Sequence, residues 1–181
     1  MAGDPLDEIV AIVDEAGRQV DAVPRRIMRA GNLPHCAPGV LVASGDGRRA
    51  YLHRRTDTKE VYPELHDCWA GGVMLDGESP AQAAARELAE ELGVTGVRLV
   101  PAFTTRWADA VTRYLAPLFV VRWDGPITHQ PEEVAAGRWV TLAELEALAD
   151  DASFAFTPDG RAFTRDWFDR GCPGLVDSTE H

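Results

Sequence analysis

The sequence contains a single lysine, Lys59, among its 18 basic residues, and the other 17 are arginines. Acidic residues outnumber basic ones by 29 to 18, so the formal net charge at pH 7 is −11. Nucleic acids and anionic membranes bind basic surfaces, so this charge argues against both as main partners. We therefore expect no nucleic acid polymer and no membrane partner. A small polyanion remains compatible if a cation is held locally.

Cysteines and long apolar runs are also scarce. The three cysteines, Cys36, Cys68 and Cys172, are an odd number at wide spacings, which fits neither a disulfide framework nor a zinc site. No run approaches the roughly 18 apolar residues of a membrane span, and the first residues lack the features of a signal peptide. These absences predict a cytoplasmic protein with reduced thiols. The 181 residues, 45% of them hydrophobic, can bury one substantial core.

The most informative stretch is residues 72–94, which we interpret as a loop that leads into a helix. Ser79 is a favourable N-cap, Pro80 suits the first helical position, and Gln82 completes a capping box. Gly93 suits the C-terminal cap. At about 100° per residue, the spacing predicts a packing stripe and a separate acidic stripe. The packing stripe consists of Ala81, Ala84, Ala85, Leu88 and Leu92.

The acidic stripe consists of Glu87, Glu90 and Glu91. Glu87 and Glu91 are like charges at i,i+4, and all three lie near the negative end of the helix, where the dipole disfavours anions. A nearby cation would offset this repulsion. Mg²⁺ fits, because it binds carboxylate oxygens and often shares its remaining positions with substrate phosphates. A solvated acidic face would explain three glutamates alone, but the surrounding spacing favours a metal site.

This spacing resembles the Nudix box at every defined position: Gly72, five residues, Glu78, seven residues, and then residues 86–94. The resemblance implies an α/β fold, namely a Nudix-type α/β/α sandwich with a mixed β-sheet. Members of this family usually cleave a nucleoside diphosphate, or another organic group, from a second phosphate-linked group. The resemblance also implies that Glu78 and Arg86 form a structural ion pair that holds the loop against the helix.

The same resemblance implies the metal site. Glutamates that match Glu87, Glu90 and Glu91 are catalytic in the family and bind Mg²⁺ or Mn²⁺. A backbone carbonyl at the position of Gly71 often helps to bind the metal.

The remaining sequence predicts the other elements. An N-terminal β-hairpin extension, with strands at 8–14 and 19–23, precedes a short helix at 25–30. The predicted core strands are 40–44 and 50–55, joined by a Gly45-Asp46-Gly47 hairpin, and then 97–106, 112–123 and 137–140. Thr141 should cap a helix that ends near Ala149, and a last helix should span 161–170.

These elements define the expected domain organisation. Residues 1–34 should form a hairpin and short helix packed on the core, and residues 35–170 should form the Nudix domain. Residues 171–181 should be a flexible tail.

A basic island interrupts the acidic sequence between residues 48 and 59, where five arginine and lysine side chains and one histidine face only one acid, Asp57. A lone lysine in a chain that otherwise uses arginine indicates a point-charge role such as phosphate binding. We therefore expect Arg55 and Lys59 to bind the substrate diphosphate. A solvated turn is the alternative for Lys59.

Further segments resemble the isopentenyl-diphosphate isomerase-like branch of the Nudix family. These segments are Leu33-Pro34-His35, His53 to Lys59 with Tyr62-Pro63, and Phe154 to Pro158. In isomerases of this branch, residues that match Arg55 and Lys59 contact the substrate diphosphate.

The residues that carry isomerase chemistry do not match. Alignment on the box puts the isomerase's cysteine and histidine on Gly71 and Val73, and its paired acids on Thr112 and Tyr114. Cys68 lies three residues from the expected cysteine, and we interpret it as a small buried apolar residue. The isomerase hypothesis is therefore the weaker one.

The complete set of glutamates favours a Mg²⁺-dependent hydrolase that cleaves the diphosphate linkage of a nucleoside-diphosphate-type or other organic diphosphate. The candidate general bases are Glu87 and two acids of a late loop, Glu132 and Glu133, for which an exposed turn is the alternative. Isopentenyl-diphosphate isomerase and a non-catalytic, ligand-sensing Nudix module are the other hypotheses. The expected partner is a small-molecule diphosphate, and formation of a homodimer is left open.

Overall fold

The computed structural model describes residues 5–175, which form one mixed sheet of ten strands with helices on both faces. The strands are β1 Ile9–Val13, β2 Gln19–Pro24, β3 His35–Cys36, β4 Gly39–Ala43, β5 Arg49–Arg55, β6 His66–Asp67, β7 Trp69–Gly71, β8 Val100–Ala108, β9 Arg113–Arg122 and β10 Val134–Thr141. The helices are α1 Arg25–Ala30, α2 Pro80–Leu92, α3 Leu142–Asp150 and α4 Pro158–Asp169. Within residues 5–175, no helix is long and apolar enough to cross a membrane.

The sheet is organised around β9. The strand order is β10-β5-β4-β9-β3-β1-β2, and β8, β7 and β6 pair with β9, β4 and β5. β9 is parallel to β4 and β3, whereas the other pairs are antiparallel. Residues 118–121 of β9 are all buried, as expected for a strand that is covered on both faces.

Alternate residues of the central strands pack into two separate cores. On one face, Leu41, Leu118 and Val120 pack with residues of α3 and α4, including Trp167. On the other face, Val40, Val42, Phe119 and Val121 pack against Leu88 of α2 and its neighbours. This arrangement follows from the period of two along each strand. The predicted α/β/α sandwich with a mixed sheet is confirmed.

The N-terminal hairpin and helix are also confirmed, and the hairpin is bound to the loop that leads into α2. The Ala11 N–H donates to the Met74 carbonyl at 3.0 Å, and the Asp76 N–H donates to the Ile9 carbonyl at 3.0 Å. The extension therefore fixes one side of the loop before α2. The boundary at residue 34 remains a prediction, and residues 1–4 lie outside the described part of the chain.

The ends of α2 are those that the sequence predicts. The Ser79 hydroxyl accepts the Gln82 N–H at 3.3 Å, and the Gln82 side chain accepts the Ser79 N–H at 2.8 Å. Gly93 ends the helix with a φ of 67°, in the left-handed region that favours glycine.

The buried face of α2 differs from the prediction. Ala81 and Ala85 are exposed, so their assignment to the packing stripe is wrong. Glu87 and Glu91 lie inside the buried arc, because nearby cations and a backbone N–H satisfy their carboxylates. The buried residues of α2 are Ala83, Ala84, Glu87, Leu88, Glu91 and Leu92.

The last helix begins three residues earlier than predicted. α4 starts at Pro158, because the Thr157 hydroxyl accepts the Gly160 N–H at 3.2 Å and Pro158 occupies the first helical turn.

The prediction of a flexible tail from residue 171 is wrong for residues 171–175. Leu175 is buried in the core beside Trp167, whose ring N–H donates to the Pro173 carbonyl at 2.9 Å. Arg122 also donates to the Leu175 carbonyl at 2.6 Å. These long-range contacts hold the segment against the sheet. Residues 176–181 of the predicted tail lie outside the described residues.

We expect Leu175→Ala to lower the free energy of unfolding by about 2–3 kcal/mol, because it removes buried methyl groups and leaves a cavity. Chemical denaturation followed by tryptophan fluorescence would measure the change. Val111→Ala, at a side chain that is 50% exposed, is the control and should cost less than about 0.5 kcal/mol. Equal unfolding midpoints for wild type and Leu175→Ala would show that this segment is not part of the core.

Candidate active site

Two carboxylates of α2 lie against Gly71, the last residue of β7, and Gly72, which follows it. The Gly71 N–H donates to Glu91 Oε2 at 3.1 Å. A Cβ at Gly72 would lie 2.4 Å from Glu87 Oε1, so a larger residue there would collide with the carboxylate. Glu87 and Glu91 are only 9% and 2% exposed. The Glu87 carboxylate therefore explains Gly72, whereas a Cβ at Gly71 would lie 2.1 Å from the Pro38 carbonyl oxygen.

Arg86 binds three of the nearby acids. Its guanidinium contacts both Glu78 oxygens, at 2.8 and 3.0 Å. Its Nη1 lies 2.7 Å from Glu87 and 3.2 Å from Glu90. The Glu78 carboxylate also accepts the Leu75 N–H at 2.9 Å, so this ion pair joins the loop to the helix. Hydrogen bonds from Arg86 hold the pKa of Glu78 below its usual range.

The environment of Glu87 favours the protonated form. Burial, together with the charge of Glu91 one turn away, raises the pKa of Glu87 to about 7, although Arg86 acts in the opposite direction. A cation close to this pair would restore the charged form.

Lys59 connects α2 to the loop before β10. Its Nζ lies 3.6 Å from Glu91 Oε1 and forms a direct ion pair with Glu133. Burial lowers the pKa of Lys59, whereas the charge of Glu91 raises it. Glu132 is exposed, and its backbone carbonyl accepts the Thr56 hydroxyl at 2.8 Å. Of the two late acids, Glu133 is therefore the one that is linked to α2, through Lys59.

The oxygen donors of α2 suit a hard divalent cation. Glu87 and Glu91 are close together beside the backbone of Gly71, and Mg²⁺ is commonly bound by one or two carboxylates with waters and substrate phosphates. Glu90 differs, because its half-exposed side chain pairs with Arg86. Over residues 5–175, no three His, Cys, Asp or Glu side chains form a complete ligand cluster. The donor set fits a metal whose remaining coordination positions are filled by waters and substrate phosphates. The role of Glu90 as a metal ligand stays a prediction.

A cavity of about 100 Å³ opens beside Gly71 and Gly72. Arg55 lines it, and donates to the Val61 carbonyl at 3.1 Å. Arg29 of α1 also lines it, so the N-terminal extension contributes to its wall. Thus Arg55 faces the cavity, whereas Lys59 pairs with carboxylates beside it.

The cavity residues come from separate elements, so sequence patterns do not identify them as one site. Tyr114 belongs to β9, Asp67 to β6 and Asp159 to the first turn of α4. Burial and the charge of Asp159 raise the pKa of Asp67 to about 7. The presence of two acids near aromatic residues could have drawn attention to Asp67 and Asp159. The sequence does not show that these two acids are close together, because the sheet brings them together.

The loop that carries Lys59 has an uncommon backbone conformation. Tyr62 and Glu64 have φ angles of 51° and 62°, in a region that L-residues other than glycine seldom adopt. The Tyr62 hydroxyl donates to Asp109 and accepts the Trp107 ring N–H at 2.9 Å. These bonds fix Tyr62 in the cavity wall.

Cys68 does not reach the cavity. Its thiol is buried and lies 3.1 Å from the Thr164 hydroxyl, and burial raises its pKa. This environment makes it a packed apolar residue, and the positions that match the isomerase cysteine and histidine are Gly71 and Val73.

We expect the metal-free protein to lose stability between about pH 5 and pH 8, partly because of Glu87. Its pKa is raised from 4.5 to about 7 on folding, so the folded state binds more protons over that window and rising pH favours unfolding. Glu87→Gln should flatten this slope in urea titrations with EDTA. Glu90→Gln, on the same helix, is the matched control. An unchanged slope in Glu87→Gln would contradict the assigned environment.

Comparison with known proteins places the chain in a family. The family model described as NUDIX domain matches residues 33–160. The chain is 43% identical over 172 residues to the uncharacterized Nudix hydrolase orf19 of Rhodococcus erythropolis, with 90% of this chain and 93% of that protein covered. It is 34% identical over 173 residues to the uncharacterized Nudix hydrolase YfcD of Escherichia coli K12, with 96% and 93% covered.

A solved structure shares the fold. The crystal structure of DR0079 from Deinococcus radiodurans superposes with a TM-score of 0.73 at 21% identity, covering 88% of this chain and 98% of that one. The resemblance to the isopentenyl-diphosphate isomerase-like branch stays a prediction. The matched family model and the extent of the similarity to both relatives show that the chain belongs to the Nudix hydrolase family, whose enzymes act on diphosphate linkages.

Proposed function

We propose that the protein is a Mg²⁺-dependent hydrolase, with Mn²⁺ as the alternative metal, of a small organic diphosphate in the cytoplasm. The observation that carries this proposal is the pair of buried carboxylates, Glu87 and Glu91, beside Gly71 and a cavity lined by Arg55. Concentrated negative charge next to a cationic wall suits a metal ion and a diphosphate that bind together.

The reaction adds water across the diphosphate linkage. The oxygen of a water molecule attacks one phosphorus, the bond from that phosphorus to the bridging oxygen breaks, and the bridging oxygen leaves on the other phosphate. When bound, Mg²⁺ supplies charge neutralisation for the diphosphate. We propose that Glu87, Glu90 and Glu91 hold it with the carbonyl of Gly71.

A carboxylate takes the proton from the attacking water. Glu133 is the favoured late-loop candidate, because its ion pair with Lys59 keeps it near Glu91. Glu87 is the second candidate, because its buried carboxylate lies beside Gly72 in the acidic site. Glu132 has less support than Glu133, because its side chain is exposed.

We expect the wild-type protein with Mg²⁺ to cleave at least one member of a panel of phosphate-linked compounds. The panel contains nucleoside triphosphates, nucleotide sugars, ADP-ribose, dinucleotides and isopentenyl diphosphate, and chromatography would identify the products. Glu91→Gln should lower kcat by about 100-fold or more, because it removes charge at the centre of the acidic site.

The matched control is Glu146→Gln, at an exposed position of α3, which should retain activity. Conversion of isopentenyl diphosphate to its allylic isomer without any cleavage would instead establish the isomerase hypothesis. If no panel member underwent either reaction, the result would favour a ligand-sensing role.

We expect Lys59→Met to raise KM for the substrate about tenfold, because the proposal gives Lys59 a charge-assisted contact to the diphosphate. Steady-state kinetics would measure KM and kcat. Arg48→Met, at an exposed residue of the same basic island, is the control for lost charge and should change neither constant. The phosphate-binding role of Lys59 is wrong if Lys59→Met keeps the wild-type KM and kcat.

A further inference from the structure

The cavity beside Gly71 is small for a Nudix substrate that carries a complete nucleoside. Its volume of about 100 Å³ lies below the roughly 300–1,000 Å³ of pockets that enclose a drug-sized ligand. The group that enters it therefore has only a few non-hydrogen atoms. A larger substrate would leave most of itself outside.

Two arginines line the cavity. Arg29 and Arg55 both line it, and the Nε of each is buried without a hydrogen-bond partner. Arg29 Nε lies 3.6 Å from the carboxylate of Glu60, which is 46% exposed. These arginines give the cavity wall two cationic groups that suit phosphate oxygens.

Polar and acidic side chains also line the cavity. The Tyr114 hydroxyl donates to Asp159 Oδ2 at 2.5 Å, and Asp159 Oδ1 accepts the Gly160 N–H at 2.8 Å. Asp67 accepts the Thr157 hydroxyl at 2.9 Å and two backbone N–H groups. Within residues 5–175, no Lys, Arg or His nitrogen lies within 4.0 Å of the Asp159 or Asp67 carboxylate. The acceptor capacity of Asp159 and Tyr114 is therefore not exhausted by the protein.

Aromatic side chains complete the lining. The rings of His35 and Tyr114 stack at 5.6 Å, and Phe163 meets Tyr114 edge to face at 6.1 Å. Trp69 completes this part of the lining. The lining therefore combines apolar ring surface with hydrogen-bond acceptors.

We propose that this cavity selects diphosphates whose organic group is small and ends in a hydrogen-bond donor, either a hydroxyl or a protonated amine, which Tyr114 and Asp159 bind. A purely hydrocarbon group would bury these polar atoms without giving them a partner, which disfavours binding. The inference rests on the proposed function, because it assumes that the diphosphate lies beside α2.

Three diphosphates with organic groups of equal length test the proposal: 4-hydroxybutyl, 4-aminobutyl and pentyl diphosphate. Isothermal titration calorimetry with Ca²⁺ in place of Mg²⁺ would give each Kd, and kinetics with Mg²⁺ would give kcat/KM. We expect at least one of the two polar compounds to bind about tenfold or more tightly than pentyl diphosphate. Whichever polar compound has the larger gain in affinity shows whether the cavity recognises a hydroxyl or an amine.

Two variants separate recognition from folding. Tyr114→Phe keeps the buried ring and should reduce the preference for the hydroxyl compound to less than about threefold. Asp159→Asn should reduce the preference for the amine most, because it removes the negative charge. Tyr51→Phe is the matched control, because the Tyr51 hydroxyl bonds to His129 and does not line the cavity. It should keep the wild-type preference.

The outcomes separate this inference from the proposed function. Equal or tighter binding of pentyl diphosphate, or an undiminished preference in both cavity variants, would overturn the inference even if all three compounds were hydrolysed. A donor preference in binding without cleavage of any compound would support the inference and overturn hydrolysis. If none of the three compounds bound, the inference would be overturned. The proposed hydrolysis would then be decided by the wider panel of phosphate-linked compounds.

Discussion

The burial of two like charges one helical turn apart is the constraint on which the site depends. Glu87 and Glu91 repel each other inside the sandwich, so the fold must supply cations and N–H donors around them. Arg86 contacts Glu87, Lys59 contacts Glu91, and Gly71 supplies a backbone donor to Glu91. Any bound divalent cation would add to this compensation. The two neighbouring carboxylates that make α2 costly to bury are therefore also the groups that can bind a metal.

The N-terminal extension contributes to the site as well as to the sheet. Its first strand bonds to the loop at Met74, and the Met74 N–H donates to the Cys36 carbonyl at 2.9 Å. The loop before α2 is thus held by segments that precede the core strands in the sequence. Because α1 also brings Arg29 to the cavity, removal of the extension would change the binding site together with the fold.

Local patterns explain which features the sequence predicts. Both ends of α2 are correct, because a capping box and a left-handed glycine depend only on neighbouring residues. Thr157-Pro158 carries the same kind of signal for α4, whereas the predicted helix starts at residue 161. The tail prediction is wrong for Leu175 because its burial depends on Trp167 and β9. The cavity residues share this limit, since contacts across the sheet bring them together.

The position of the acids in the cavity bears on the choice between binding and isomerisation. An isomerase must move protons at carbon, and the positions that match its cysteine and histidine are Gly71 and Val73, which carry no acid or base. Asp67 is held by three hydrogen bonds from the protein, and Asp159 is bound by Tyr114. Carboxylates fixed in this way suit recognition of a polar group. The chemistry is then left to α2, whose buried carboxylates Glu87 and Glu91 lie beside Gly71 and Gly72 in the cavity wall.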